Sequence, residues 1–470
     1  MENLKAQSVD IIAFTTEVAD DNATSADMIK DLEIFSGKAA GVCYMKDDYL
    51  SSGIQDADKA LKRAISTAAR GHQSVFDHAH ISFMIKTNKI MAMTLNSLGV
   101  YTTSEKSARY TKMEPKTELE KQLYEKWINK FRELILDRYP NYDDVVLKAR
   151  VLKTIKQNKV ASADLNITVV NGEVAVLQGD DINVNDIASI RYTVNTILES
   201  LKNDIDLPSY KMAQENARYM ISVFTPTVMM YTVSLRQVML IIEYLNKLSE
   251  SAKKNTSNFY KSLADSAKEL ADEFLYAIGN KVILTDIKNQ SIRFFEGVDE
   301  TKGYNKSEYI GDSYTLRYTA SLAMLAQAQR HRTIRYSMYI PTEDKYSFYI
   351  PRIIREYGLE DEWLTDIKSV AYCTPQGTLV DVTEQGIFED FALKCKERLC
   401  GRAQLEIATS TAEQAHKFIE NKENMCEYNQ SLLDAMTNSK CEVAPRCCFR
   451  DFRCTDGCRW GAKEGLTRSI

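Results

Sequence analysis

The chain has 470 residues, 44% of them hydrophobic and 27% charged, with a formal net charge of −5. This is the composition of a globular protein of about two to three domains, and it argues against a general nucleic-acid binder, which needs a basic excess. No apolar run approaches the ~20 residues that span a bilayer, and Met1–Lys5 does not begin a basic-then-apolar signal peptide, so the expected location is the cytoplasm.

In chain order, Gln7–Thr16 reads as a strand around Val9-Asp10-Ile11-Ile12-Ala13-Phe14. Asn166–Leu177 is the clearest hairpin, with β-branched residues flanking Asn171-Gly172, a preferred two-residue turn. Val228–Leu248 and Phe259–Ile278 are helical in pattern. Gly279-Asn280 closes the first part of the chain, and Val282-Ile283-Leu284 opens a second strand-like start. Leu316–Arg332 is rich in Ala, Leu, Met and Gln without Gly or Pro, which favours helix. A further long helix is expected over Phe388–Glu420, interrupted or tightened near Gly401.

Ten cysteines occur, nine of them after residue 370. In a reducing compartment such a cluster points to thiol or metal chemistry rather than disulfides. Cys441, Cys447, Cys448, Cys454 and Cys458 could supply four zinc thiolates, but they lack the paired C-x2-C knuckles of a strong zinc site. A free-thiol tail is the other reading.

Two incomplete motifs carry most of the information. One reads Ser104-Glu105-Lys106-Ser107-Ala108-Arg109-Tyr110, and the other Gln327-Ala328-Gln329-Arg330-His331-Arg332. Together they resemble the two ends of the RHR-x5-E-x-S-x-RY signature of flavin-dependent thymidylate synthases, the ThyX family. Gly71-His72-Gln73-Ser74-Val75-Phe76-Asp77-His78 resembles that family's G-H-x-[ST]-x-x-[DE]-H segment. Counting from His78 places Ser97-Leu98-Gly99 where RHR should stand, followed by Glu105, Ser107, Arg109 and Tyr110 in register. Counting from Arg330-His331-Arg332 instead lands on Met338, Ile340 and Thr342. Each copy has kept what the other has lost.

The same complementarity recurs downstream. Glu215-Asn216-Ala217-Arg218 resembles the family's E-x-A-R segment, and Arg398-Leu399-Cys400-Gly401-Arg402-Ala403-Gln404-Leu405-Glu406-Ile407 resembles its L-R-x3-[HR]-A-Q-x-E-I segment. The first copy has Leu245 where Arg398 stands in the second. Ala39-Ala40-Gly41-Val42-Cys43-Tyr44 resembles the A-A-R-x-[SC]-Y segment, and Ile81–Met84 the strand after the His motif.

The resemblance implies an α/β (α+β) fold of two tandem ThyX-like copies, 1–280 and 281–440, each a small sheet with long helices, and a Cys-rich tail over 441–470. It implies a dUMP site built from Gln327, Arg330, Glu105, Ser107, Ala108, Arg109, Arg218 and Arg398. Fixed guanidinium groups suit a nucleotide dianion, since Arg stays charged and binds phosphate bidentately. Gln327 and Arg330, three apart, and Arg398 and Arg402, four apart, would share helix faces. Arg398 would meet the pyrimidine carbonyl and stabilise negative charge as C5 becomes nucleophilic; an amphipathic helix with Glu397 and Glu406 as ion-pair partners is the other reading of that segment. Ser107 lacks triad partners and is not read as a nucleophile.

For FAD the resemblance points to His72, Ser74, Glu105, Ser234, Arg236, Arg330, His331, Arg332 and Arg402. Ser234 stands where the family's N-x-R element has Asn. No G-x-G-x-x-G or Walker loop is present, so flavin binding rests on the resemblance alone. The implied reaction methylates dUMP with methylenetetrahydrofolate, FAD and NADPH, in a homodimer that replaces a compact tetramer. Two alternatives stay open: an enzyme leaving hydroxymethyl on the pyrimidine, and a non-catalytic nucleotide-binding or assembly protein built from decayed copies.

Overall fold

The computed structural model describes residues 7–15, 28–44, 49, 51–107, 111–147, 166–170, 173–178, 192, 207–279, 284, 294–296, 298, 307–341, 345–438, 442–449, 460 and 464–470. Of the sequence expectations, Ala108, Arg109, Tyr110, Thr342, the Asn171-Gly172 turn, Val282, Ile283, Cys441, Cys454 and Cys458 lie outside these residues.

The fold mixes helices with small antiparallel sheets. In the first sheet β1 (Ser8–Phe14), β2 (His80–Asn88), β6 (Pro226–Ser234) and β3 (Thr102–Glu105) lie in that order. The hairpin forms as expected from β4 (Asn166–Val170) and β5 (Glu173–Gln178). The second sheet has the order β7 (Ser313–Ser321), β9 (Leu379–Ile387), β8 (Arg335–Tyr339).

The two sheets repeat one arrangement. In each, a nine-residue strand runs into a seven-residue helix, Lys89–Leu95 after β2 and Leu322–Ala328 after β7. In each, the last strand residue caps the helix: Asn88 accepts from the Met91 N–H, and Ser321 from the Met324 N–H. Such caps are worth ~1 kcal/mol apiece. The strand ladders correspond pair for pair. Adding 233 to a β2 or β3 residue number and 153 to a β6 number turns His80↔Ser234 into Ser313↔Ile387, and Glu105↔Met229 into Met338↔Val382. By that offset Ser97-Leu98-Gly99 falls at Arg330-His331-Arg332, Glu105 at Met338, and Leu245 at Arg398.

Packing does not separate the units at residue 280. One hydrophobic core contains Leu98, Leu245, Phe259 and Phe274 together with Ala320, Leu325, Met338 and Ile340. A second core joins the helix Glu118–Arg138 to the segment after β8 through Trp127, Phe131, Tyr219 and Trp363. Trp127 and Trp363 meet edge to face at 4.7 Å. A third lies under β7, the helices Phe388–Arg398 and Leu405–Glu420, and part of the tail.

Two helix expectations need correction. Leu316–Ser321 belongs to β7, and only Leu322–Ala328 is helical before Arg330. Val228–Ser234 belongs to β6, and its helix starts at Leu235. β6 alternates buried and exposed residues, but its outward side carries the apolar Val228 and Met230, 36% and 41% exposed, so the period of two is hidden in the sequence. Phe388–Glu420 is, as expected, interrupted at Gly401: it forms two helices separated by the loop 399–404. Neither the Gln327–Arg330 nor the Arg398–Arg402 pair therefore shares a helix face.

Candidate functional site

Glu105 of the first motif meets Arg330 of the second inside one chain. Glu105 ends β3, and its carboxylate is buried, with 2% of the side chain exposed. Lys89 Nζ donates to Oε1, while Asn96 Nδ2 at 3.3 Å and the Arg330 guanidinium at 3.4 Å share Oε2. Arg330 follows the helix Leu322–Ala328, and its N–H donates to the Gln327 carbonyl at 3.2 Å. Arg398, the last residue of its helix, donates to the same carbonyl at 3.3 Å. Two guanidinium-bearing residues thus hang from one backbone oxygen.

Gln404 ties Arg218 to Gln327. Glu406 is buried and accepts from the Ser321 N–H at 2.8 Å, the Ser321 hydroxyl at 2.7 Å and the Tyr219 hydroxyl at 2.7 Å. Burial raises its carboxyl above the usual range, against the pull of the Ser321 and Tyr219 bonds. With its proton committed to Glu406, the Tyr219 hydroxyl accepts from Gln404 Nε2. Gln404 Oε1 is thereby fixed as the acceptor for both Arg218 and Gln327 Nε2. The outcome is a buried Gln327 Oε1 without a hydrogen-bond partner among the described residues, an acceptor available to an N–H or O–H of a ligand.

The loop that carries Gln404 is held from outside by the tail. Trp460 Nε1 donates to the Gly401 carbonyl at 2.9 Å, Arg468 to the Ala403 carbonyl at 2.6 Å, and the Arg446 N–H to the Leu399 carbonyl at 2.6 Å. So the tail is partly a buttress of the site. Cys447 and Cys448 lie in the tail's short helical turn and form no disulfide, and no cluster of metal ligands occurs among the described residues.

His331 and Arg332 complete this wall. The His331 side chain is 4% exposed. Burial, followed by the charges of Arg398 and Lys394, depresses its imidazole to about 3, so it is neutral near pH 7. Its Nε2 is buried, without a hydrogen-bond partner among the described residues. Arg332 donates to the Thr103 carbonyl at 2.8 Å and lies over the Tyr101 ring. Burial pushes the Tyr101 phenol up to about 12, against the pull of Arg332 and Arg330. Ser107 follows this edge, its carbonyl accepting from Thr111.

A second group of expected residues lies at the other end of β6. His72 and Ser74 are exposed. Ser234 donates to Asp77 Oδ1 at 2.7 Å, and Arg236 to Asp77 Oδ2 at 2.9 Å. Met229, the partner of Glu105, is five strand residues from Ser234, a separation of about 17 Å. Arg402 is exposed in its loop. Asp77 orients the Ser234–Arg236 end; neither it nor Lys89, Asn96, Tyr219, Gln404 or Glu406 was singled out as a site residue in the sequence. Gln404 and Glu406 lie inside a recognised motif, but Lys89 sits in a plain apolar helix and gave no signal.

The corresponding place in the other unit is apolar. Met338 and Ile340 are fully buried in one core with Leu98 and Leu245. The segment 294–296 closes over β8: the Met338 N–H donates to the Phe294 carbonyl at 2.8 Å, and the Glu296 N–H to the Met338 carbonyl at 2.7 Å.

A family model described as thymidylate synthase complementing protein matches residues 27–271, more than half of the chain. The chain belongs to this family. No curated protein matches it. Among solved structures it is similar to a UMP/dUMP methylase, PolB, from Streptomyces cacaoi bound with 5-Br dUMP, at 13% identity over 58% of this chain and 89% of that chain, TM-score 0.27. It is also similar to Thymidylate Synthase X (ThyX) from Helicobacter pylori with FAD and dUMP, at 17% identity over 59% and 99%, TM-score 0.25. At these values the two likenesses carry no argument about chemistry. Among the described residues of this ThyX-family chain, no helix is long and apolar enough to cross a membrane.

Proposed function

We propose that the chain is a tandemly duplicated, flavin-dependent thymidylate synthase that methylates dUMP, with one composite site per chain. The observation that carries this reading is the meeting of complementary remnants: Glu105 with Arg330, and Arg218 with Gln327 on Gln404. Duplication is supported by the pair-for-pair correspondence of the two ladders.

In this reading Arg218, Arg330 and Arg109 receive the phosphate, and Ser107 with Ala108 lines its loop. The free Gln327 Oε1 accepts from a pyrimidine or sugar donor, and Arg398 faces the ring carbonyl, where positive charge stabilises the ring as C5 gains electron density. The residues also fit a flavin: neutral, buried His331 has a ring nitrogen without a hydrogen-bond partner among the described residues, 3.7 Å from the Glu397 carboxylate. FAD would supply the redox chemistry, reduced by NADPH, with methylenetetrahydrofolate as one-carbon donor. His72, Ser74, Ser234, Arg236 and Arg402 would hold the remainder of the cofactor, and the separation of the Ser234 end from Glu105 favours a homodimer in which a partner chain completes the flavin site.

The visible spectrum of the purified protein tests the reading, together with a nucleotide titration. We expect flavin absorbance that changes on dUMP addition, and one dUMP per chain, because the counterpart site cannot offset the desolvation of a dianion. A protein that takes up no FAD sinks the enzyme reading; two dUMP per chain sinks the composite site.

A further inference from the structure

We propose that Lys89 is a positioning residue that keeps Arg330 available for phosphate by neutralising Glu105 in its place; the proposal rests on the nucleotide reading above. Lys89 opens the helix Lys89–Leu95, and its side chain is 9% exposed. Its counterpart in the other unit is Leu322, 1% exposed, just as the counterpart of Glu105 is Met338, fully buried. Two buried apolar positions of one unit are thus a buried ion pair in the other. An apolar pair is the less costly way to fill such a space, since ions must be stripped of water, so the ion pair calls for a reason beyond packing.

The reason lies in how the carboxylate is divided. Lys89 takes Oε1 alone, whereas Arg330 reaches Oε2 at 3.4 Å and shares it with Asn96. Charge-assisted bonds are normally shorter, about 2.7–2.9 Å, so Arg330 is loosely held. Its side chain is 33% exposed and has no other bonded partner among the described residues. Glu105, Lys89 and Arg330 together carry one surplus positive charge, and it resides on the group that faces outward. Without Lys89 the only cation left to the buried carboxylate would be Arg330, drawn into a two-pronged pair, and a phosphate would have to compete with Glu105 for it.

The test compares dUMP with deoxyuridine, which lacks the phosphate, on flavin-loaded wild type, K89M, K89R, E105Q and K89M/E105Q. We expect K89M to lose about 10-fold or more in dUMP affinity with deoxyuridine binding unchanged, a loss on the scale of one charge-assisted contact. K89R should retain dUMP affinity. In the E105Q background K89M should cost no further dUMP affinity, because the competing carboxylate is already gone; a purely structural role for Lys89 predicts the same loss in both backgrounds. Wild-type dUMP affinity in K89M overturns the proposal, as does a K89M/E105Q variant about 10-fold weaker than E105Q. If K89M does not fold, K89R and the comparison of K89M/E105Q with E105Q still decide, since weak dUMP binding by K89R, or by the double variant relative to E105Q, overturns it. A wild type that binds dUMP no more tightly than deoxyuridine instead overturns the nucleotide reading itself.

Discussion

Replacing Arg398 with Ala is expected to lower the rate of dUMP methylation by about 10²–10³, the effect of removing one preorganised electrostatic donor. The side chain is 13% exposed and anchored to the Gln327 carbonyl, at the end of a helix whose next six residues are clamped by the tail. Its position is therefore fixed before substrate arrives, which is what makes such a charge effective. Flavin content should change little, because the contacts of Arg332 and of the Ser234–Arg236–Asp77 group do not pass through Arg398. Single-turnover kinetics with the flavin spectrum as control would show this, and wild-type turnover in the variant would remove Arg398 from its role.

The second large effect concerns acid stability. His331 titrates at about 3 in the folded protein, against an ordinary value of 6.5. The unfolded chain therefore binds one more proton than the folded one between these values. Stability due to the neutral imidazole is complete above pH 6.5 and is lost as pH falls through that window. At pH 4.5 the loss from this one residue should be about 2–3 kcal/mol. In His331→Gln the acid limb of a denaturant-melt series between pH 6.5 and 4.5 should be shallower by that amount. An unchanged limb would show that His331 is already charged in the folded state. Arg398→Ala should move the same limb part of the way, since the Arg398 charge is the second cause of the depression after burial.

Some of this protein is determined by sequence alone. Under the proposed duplication, the counting that set Ser97-Leu98-Gly99 against Arg330-His331-Arg332 matches the offset between the two strand ladders. The strand at Ser8–Phe14, the hairpin and the helix Asn258–Ile278 were legible because their periodicity or turn chemistry is local. Only the tertiary structure decided that Val228–Ser234 and Leu316–Ser321 are strands, since their ladder partners lie dozens of residues away and each strand runs straight into a helical segment. It also decided how the site is wired. Lys89 on Glu105, and Glu406 through Tyr219 and Gln404 to Arg218 and Gln327, are bonds between residues up to 187 positions apart. A buried polar group must find a partner wherever the fold brings one, and no spacing along the chain announces which partner that will be.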